Sequence, residues 1–231
     1  MSDDHLPAGI AEVLESAARL QQLVPNAVLV GGSAAVWYAR HRSSFDHDHV
    51  VSDLRQRFHL VLDALEQEGD RVTNRAAEGK IVLRELGGIE TGVRQLRRAH
   101  PLEVQQIKLP SGNLVTVPTI EETLRVKAFL LIARNRVRDF LDVVALSDTM
   151  GITAAAATLR RIDVYYQDTR RGDDAVVSQL ARQLADPDPA DSRVLRQLAN
   201  YKNLAPRWQN WANVVDQCHK IALAMTIGAQ K

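Results

Sequence analysis

Two glycines and a serine stand directly after an apolar run in this sequence, a combination suited to holding phosphate. The run covers residues 28–30 and is followed by Gly31, Gly32 and Ser33. A β-branched run predicts a buried strand, and paired glycines predict a tight turn that brings the backbone close to a ligand. We expect Ser33 to cap a helix that begins at Ala34. The free N–H groups and positive dipole end of that helix would then face a phosphate.

Two aspartates separated by one residue follow after about one helix length. If Asp46 and Asp48 lie on a strand, their carboxylates point to the same face about 6.6 Å apart along it. Carboxylates at this spacing can share one or two hard cations, Mg²⁺ or alternatively Mn²⁺. A phosphate-binding turn next to a cation site predicts nucleotide chemistry.

Length and composition are those of an ordinary soluble globular protein. The chain has 231 residues, 45% of them hydrophobic and 25% charged, with a formal net charge of +1. It contains no run of the roughly 18 apolar residues that a membrane span needs, and its acidic start lacks the pattern of a secretory signal. We therefore expect a cytoplasmic protein with no membrane partner. Cys218 is the single cysteine, which excludes an internal disulfide and predicts a packed thiol.

The hydrophobic pattern changes once, at Pro118. Before it, the sequence predicts amphipathic helices over residues 8–23 and 54–66, together with several strands; beyond it, nearly everything is helical. The predicted fold is α+β, with a mixed β-sheet flanked by helices over residues 1–118 and an α-helical region over residues 119–231. The later strands are predicted at residues 81–86, 89–96, 104–109 and 114–117, and the first two helices of the second region at 119–134 and about 138–149.

Five motifs follow one another over roughly residues 27–150: the glycine–serine turn, Arg42-x-Ser44-x-Asp46-x-Asp48, Lys127, Arg134 and Arg138-Asp139-x-x-Asp142. Taken in order, they resemble those of the AbiEii-type nucleotidyltransferases, the toxins of type IV toxin–antitoxin pairs. The resemblance implies a nucleotidyltransferase-like sheet and transfer of a nucleoside monophosphate from an NTP to an acceptor hydroxyl. The implied acceptor is the 3′ end of tRNA or another RNA, and the implied protein partner is a cognate antitoxin.

Each motif has a chemical role in such a transfer. We expect Asp46 and Asp48 to hold Mg²⁺, and the Gly31-Gly32-Ser33 turn to hold the β and γ phosphates. The remaining predicted nucleotide-binding residues are Arg42, Ser44, Lys127 and Arg134.

Several of these residues have alternative interpretations. Lys127 and Arg134 share a helix face that could form a cationic wall for the triphosphate. Asp139, or as the second candidate Asp142, would position Lys127 or contact the sugar. Arg42 is either a phosphate contact or an exposed loop arginine. Asp142 is predicted to pair with Arg138 on the helix surface rather than to act in catalysis.

A third carboxylate is the part of the site hardest to place. Nucleotidyltransferases of this superfamily usually present one from a neighbouring strand, and Glu90 is the best candidate because it shares a strand face with Arg94. Glu85 and Glu103 are the fallbacks. If none lines the site, catalysis rests on the aspartate pair and Lys127, or the site is degenerate.

Two other functions stay open. His41, His47 and His49 surround Asp48 in sequence, a pattern typical of metal-dependent nucleotide phosphohydrolases of the HD type. Strand alternation argues against that function, because His47 and His49 would point away from the aspartates. The second alternative is a non-catalytic nucleotide-binding or interaction protein that has lost a carboxylate.

Overall fold

The structure is a computed structural model that describes residues 9–68, 73–98, 100–166 and 175–227. Within these residues the chain forms two compact units. The first comprises the described residues up to Trp37 and from Ser43 to Thr119. The second comprises Tyr38–Arg42 and the described residues from Ile120 onward. The sequence pattern did not indicate that a short segment near residue 40 groups with the helical half.

A five-stranded mixed sheet organises the first unit, in the order β1-β2-β5-β4-β3. The central pair, β2 and β5, is parallel, and the other three pairs are antiparallel. A separate antiparallel hairpin is formed by β6 and β7. The strands are β1 (Val28–Val30), β2 (His47–Val51), β3 (Thr73–Ala77), β4 (Ile81–Leu86), β5 (Ile89–Gln95), β6 (Val104–Lys108) and β7 (Leu114–Pro118).

Two helices cover one face of this sheet. Helices α1 (Ile10–Leu23) and α3 (Leu54–Glu68) contribute apolar side chains to one buried cluster with Val51, Val82 and Val93 of the sheet. Because side chains alternate along a strand, the neighbours of these valines point to the opposite face. That opposite face carries Asp48.

Five α-helices and three short 3₁₀ helices make up the described part of the second unit. Helix α5 lies at its centre, with ten of its fourteen residues buried. The α-helices are α4 (Ile120–Arg134), α5 (Val137–Met150), α6 (Ile152–Arg160), α7 (Val176–Ala185) and α8 (Trp211–Ile227), and the 3₁₀ helices cover Ile162–Val164, Ser192–Asn200 and Pro206–Trp208.

The structure confirms the α+β class and corrects two local predictions. Helix α2 (Gly31–Ala39) begins at Gly31 and not at Ala34. Strand β3 was missed, because the polar and alanine residues of this edge strand lack apolar alternation. Residue 8, the predicted start of the first helix, lies outside the described residues. Cys218 is buried, as expected, and burial raises its thiol pKa to about 12.

No single helix of the described residues is both long and apolar enough to cross a membrane. Only the pair formed by α5 and Ile152–Val164, which is bent by 119°, has that length and hydropathy when the two are taken together.

Phe140→Ala should lower the free energy of unfolding by about 3–5 kcal/mol. The Phe140 ring is fully buried in α5 and packs edge-to-face on Trp211, with ring centroids 5.7 Å apart. Urea unfolding followed by circular dichroism measures the change. Leu223→Ala is the control, since Leu223 is 61% exposed on α8, and should change stability by no more than about 0.5 kcal/mol. Equal losses in both variants would contradict this assignment of the core.

Candidate active site

Asp48 occupies the middle of the sheet, on β2 between β1 and β5. Its backbone pairs with Val30 on one side and Gly92 on the other. The side chain is 35% exposed, and its Oδ1 lies 3.3 Å from Nε of Arg94. The carboxylate is therefore held in place by the sheet while remaining accessible to a ligand.

Two glycines leave the space that this carboxylate occupies. A Cβ on Gly92 would lie 2.7 Å from Asp48 Oδ1, and a Cβ on Gly31 would lie 3.4 Å from Asp48 Oδ2. Gly31 also has φ +78°, a left-handed conformation that favours glycine. The predicted glycine turn and the predicted acidic residue are thus in contact. Gly92 was not foreseen, although an isolated glycine in a strand often marks such a close approach.

Ser33 links the glycine turn to the first aspartate. Its hydroxyl donates to the backbone oxygen of Asp46 and lies 3.1 Å from Oγ of Ser44, which in turn donates to Asp46 Oδ1 over 3.3 Å. The prediction of Ser33 as a helix cap is wrong, because Ser33 lies inside the first turn of α2 and bonds to the segment before β2. Asp46 is exposed and precedes β2, so that of the two aspartates only Asp48 lies on a strand.

Glu90 lies on the same face of the sheet as Asp48. It stands two residues before Gly92 on β5, and it pairs with Glu85 of β4. Both glutamates are exposed, and Glu103 is exposed just before β6. Within the described ranges, no three His, Cys, Asp or Glu side chains converge closely enough to hold a metal ion. A role for Glu90 as the third carboxylate stays a prediction.

The two histidines flanking Asp48 are buried and engaged with polar groups of the protein. His47 Nε2 lies 2.9 Å from Ser16 Oγ, and His47 Nδ1 lies 3.0 Å from Thr91 Oγ1. Burial lowers the pKa of His47 to about 4, and burial followed by the neighbouring His47 lowers the pKa of His49 well below its ordinary value. These contacts account for His47 without a metal ion.

In the second unit, a buried carboxylate gathers three basic side chains. Lys127 Nζ lies 2.7 Å from Asp142 Oδ2, Arg42 Nε donates to Asp142 Oδ1 over 3.0 Å, and His41 Nε2 lies 2.8 Å from the same oxygen. All four side chains are buried. Burial alone would raise the pKa of Asp142, but Arg42, Lys127 and His41 hold it well below its ordinary value.

This cluster corrects three predictions. Asp142 is not a surface partner of Arg138, and Arg42 is not an exposed loop arginine, because both are committed to the buried cluster. Lys127 pairs with Asp142 rather than with Asp139. Asp139 is itself buried, burial raises its pKa, and its Oδ2 has no hydrogen-bond partner among the described residues. The Arg138-Asp139-x-x-Asp142 motif contains the central carboxylate of the cluster, but two partners of Asp142, His41 and Arg42, lie about 100 residues away in the sequence.

Asp142→Asn should lower the free energy of unfolding by about 3–5 kcal/mol, because it leaves buried cations without a counter-charge. Urea unfolding at neutral pH measures the loss. The control is Asp148→Asn on the same helix, where the side chain is 39% exposed and pairs with Arg207; we expect a change below about 1 kcal/mol. A loss as small as the control's would show that Asp142 does not hold the cluster together.

Acidification should destabilise the protein well above the pH at which carboxylates titrate. Unfolded imidazoles have an ordinary pKa of 6.5, whereas folded His47 has a pKa of about 4, so the unfolded state binds more protons between these values. The free energy of unfolding therefore falls as pH is lowered through this window, by about 2 kcal/mol for His47 between pH 7.5 and 5.

The measurement is urea unfolding at both pH values. His47→Gln should reduce the dependence on pH, and His59→Gln, on an exposed side chain, should leave it unchanged. A wild-type stability that is equal at both pH values would contradict the buried neutral state of His47.

Comparison with known proteins identifies the family and relatives of the fold. Residues 12–218 match the family described as the nucleotidyl transferase AbiEii toxin of type IV TA systems. Two Helicobacter pylori structures share the fold: JHP933, with a TM-score of 0.55 and 13% identity over 98% of this chain and 96% of that one, and a candidate nucleotidyltransferase, with a TM-score of 0.52 and 15% identity over 100% and 98%.

Among curated proteins, the chain is 30% identical over 94% of its length to the heme uptake protein MmpL11 of Mycobacterium tuberculosis. It is also 30% identical over 77% of its length to the mycolic acid-containing lipids exporter MmpL11 of Mycolicibacterium smegmatis. It spans only 23% and 16% of those proteins. The family match, by contrast, covers most of the sequence, including the glycine turn, both aspartates and the Asp142 cluster. The chain belongs to the AbiEii nucleotidyl transferase toxin family.

Proposed function

We propose that this protein is a Mg²⁺-dependent nucleotidyltransferase that transfers a nucleoside monophosphate from an NTP to the 3′ end of an RNA, with tRNA as the first candidate. The observation that carries the proposal is the Asp48 carboxylate, seated against Gly31 and Gly92 on an open face of the sheet. A cognate antitoxin protein is the proposed partner, as the family's description as a toxin suggests.

The donor set at Asp46 and Asp48 suits Mg²⁺. This ion binds proteins through one or two carboxylates and completes its octahedral shell with substrate phosphates and water. Both carboxylates are accessible, and Asp48 can take its position because Gly92 has no side chain. Bound to these carboxylates, Mg²⁺ would supply Lewis-acid stabilisation of the charge that develops at the α-phosphate.

The protein's own groups would do the remaining work. Backbone N–H groups at the start of α2 are free of helical partners and suit the outer phosphates of an NTP. Ser33 fixes the position of Asp46 by its bond to the Asp46 backbone oxygen. Arg94 is 45% exposed and close to Asp48, so it can donate to a phosphate beside the metal.

The residues proposed from the sequence in the second unit keep distinct roles. Arg134 is exposed, and we propose that it contacts a phosphate of one of the two substrates, the NTP or the RNA. Lys127 and Asp139 are buried, and we propose them as catalytic residues. Because Lys127 is paired with Asp142, loss of activity in a Lys127 variant carries information only when its stability is measured as well.

Asp48→Asn should reduce nucleotidyl transfer by about 10³-fold, because a neutral amide binds Mg²⁺ poorly and several kcal/mol of charge stabilisation are lost. The assay incubates purified protein with each labelled NTP, Mg²⁺ and total tRNA, and follows label joined to RNA. Asp63→Asn, on the exposed side of α3, is the control and should transfer at the wild-type rate. Full activity of Asp48→Asn would contradict the proposal. Release of free phosphate without labelled RNA would identify a phosphohydrolase.

Gly92→Ala should reduce transfer by about 10²-fold, since a new Cβ 2.7 Å from Asp48 Oδ1 must displace the carboxylate. The same labelled-RNA assay measures the loss, and thermal unfolding of the variant separates displacement from loss of the fold. An active, stable Gly92→Ala protein would show that the position of the Asp48 carboxylate does not matter for the reaction.

A further inference from the structure

A cleft of about 580 Å³ lies in the second unit, within the size range of small-molecule sites. Its wall is strongly basic. The lining residues are Ala133, Arg134, Arg136, Arg138, Asp191 and Tyr201.

Arg134 ends α4, Arg136 lies in the connection between α4 and α5, and Arg138 lies in the first turn of α5; all three are exposed. This connection is anchored at Asn135, whose side-chain amide donates to the Asp188 backbone oxygen over 2.6 Å. The Ala190 N–H donates to the Asn135 backbone oxygen over 2.8 Å. Because the backbone is tied down at this point, the guanidinium groups project from a fixed support.

The acidic residue in the lining is already engaged by the protein. Asp191 Oδ1 accepts a hydrogen bond from the Val137 N–H over 2.8 Å, at the start of α5, and its Oδ2 lies 3.9 Å from Arg136 Nη1. One carboxylate against three guanidinium groups leaves the cleft with a net positive charge. A metal-bound nucleotide would need carboxylates free to hold the metal, and this lining offers only the engaged Asp191.

Tyr201 gives the cleft an aromatic wall. It follows the 3₁₀ helix Ser192–Asn200 and is half-buried. Burial raises the pKa of its phenol, which therefore stays protonated and can donate a hydrogen bond to an anion at neutral pH. Its ring offers a flat surface on which a nucleic-acid base can stack.

Basic and acidic residues are also divided unevenly between the two units, with the excess of basic residues in the second unit. Residues 38–42 and 120–231 contain 18 Lys and Arg but 13 Asp and Glu, whereas the rest of the chain contains 11 and 15. A polyanion is therefore attracted to the helical unit rather than to the sheet unit that carries the aspartates.

We propose that this cleft binds the single-stranded end of an RNA, with Arg136 and Arg138 on successive phosphates and Tyr201 stacked on a base. Guanidinium forks match phosphate oxygens, and aromatic stacking tolerates any base. We take this RNA to be the acceptor of the nucleotide, and that identification rests on the proposed nucleotidyl transfer. The binding itself needs neither NTP nor metal.

The test is fluorescence anisotropy of a labelled single-stranded RNA with the full chain, in EDTA and without NTP, over a series of salt concentrations. The double variant Arg136→Gln/Arg138→Gln should weaken binding at least about tenfold and lower the slope of log affinity against log salt by about 1.4, since each phosphate contact on a single strand contributes about 0.7. Tyr201→Ala should weaken binding at least about fivefold, and Tyr201→Phe should keep most of the affinity.

Arg207→Gln is the control, because it removes an exposed arginine of the same unit from outside the cleft lining; it should leave the affinity within about twofold of wild type. Wild-type affinity and salt slope in the double variant would overturn the inference. So would weakened binding of free NTP with unchanged binding of RNA, which would make the cleft a nucleotide site.

The two proposals fail in different ways. If the cleft variants bind RNA normally while Asp48→Asn abolishes transfer, the cleft inference is wrong and the proposed function stands. If Asp48→Asn transfers normally, the proposed function is wrong, whatever the RNA-binding result.

Discussion

The approach of the Asp48 carboxylate to two glycines is the constraint on which the candidate active site depends. At Gly92 the distance is so short that no other residue fits without displacing an oxygen of Asp48. Gly31, the first residue of α2, approaches the same carboxylate from the end of the neighbouring strand β1. A carboxylate held this way loses little conformational freedom on binding a cation, because the sheet has already fixed its direction.

The second unit contains buried charged side chains that neutralise one another, in contrast to the accessible Asp48 carboxylate. Asp142 compensates the charges of Lys127 and Arg42 and lies within hydrogen-bond distance of His41, in a place where water is excluded, so each member depends on the others. This cluster therefore fixes the segment around residue 41 to the centre of α5. Arg136 and Arg138, at the start of α5, do not belong to this cluster; they are exposed and line a cleft. One helix thus combines a buried ionic cluster with an accessible basic surface.

Much of the fold follows from local patterns. Strand β4 was predicted with its exact limits, and helix α3 began where its apolar spacing starts, because burial of one face imposes these periods on the sequence. The edge strand β3 escaped prediction because its polar and alanine residues show no apolar alternation. The contact between the glycine turn and Asp48 could be predicted from the sequence, because only a short helix separates them. The contact between Gly92 and Asp48 could not, because Gly92 lies more than 40 residues further along the chain.

The sequence by itself determined the kinds of groups present: a phosphate-suited turn, an acidic pair, and a lysine with a later acidic motif. Tertiary structure decided which carboxylate each cation meets. Asp139 and Asp142 stand three residues apart, and nothing local distinguishes them as partners of Lys127. The packing of the second unit brings His41 and Arg42 to Asp142 from about 100 residues away. Because an unpaired buried charge would cost several kcal/mol, that buried carboxylate must have basic partners.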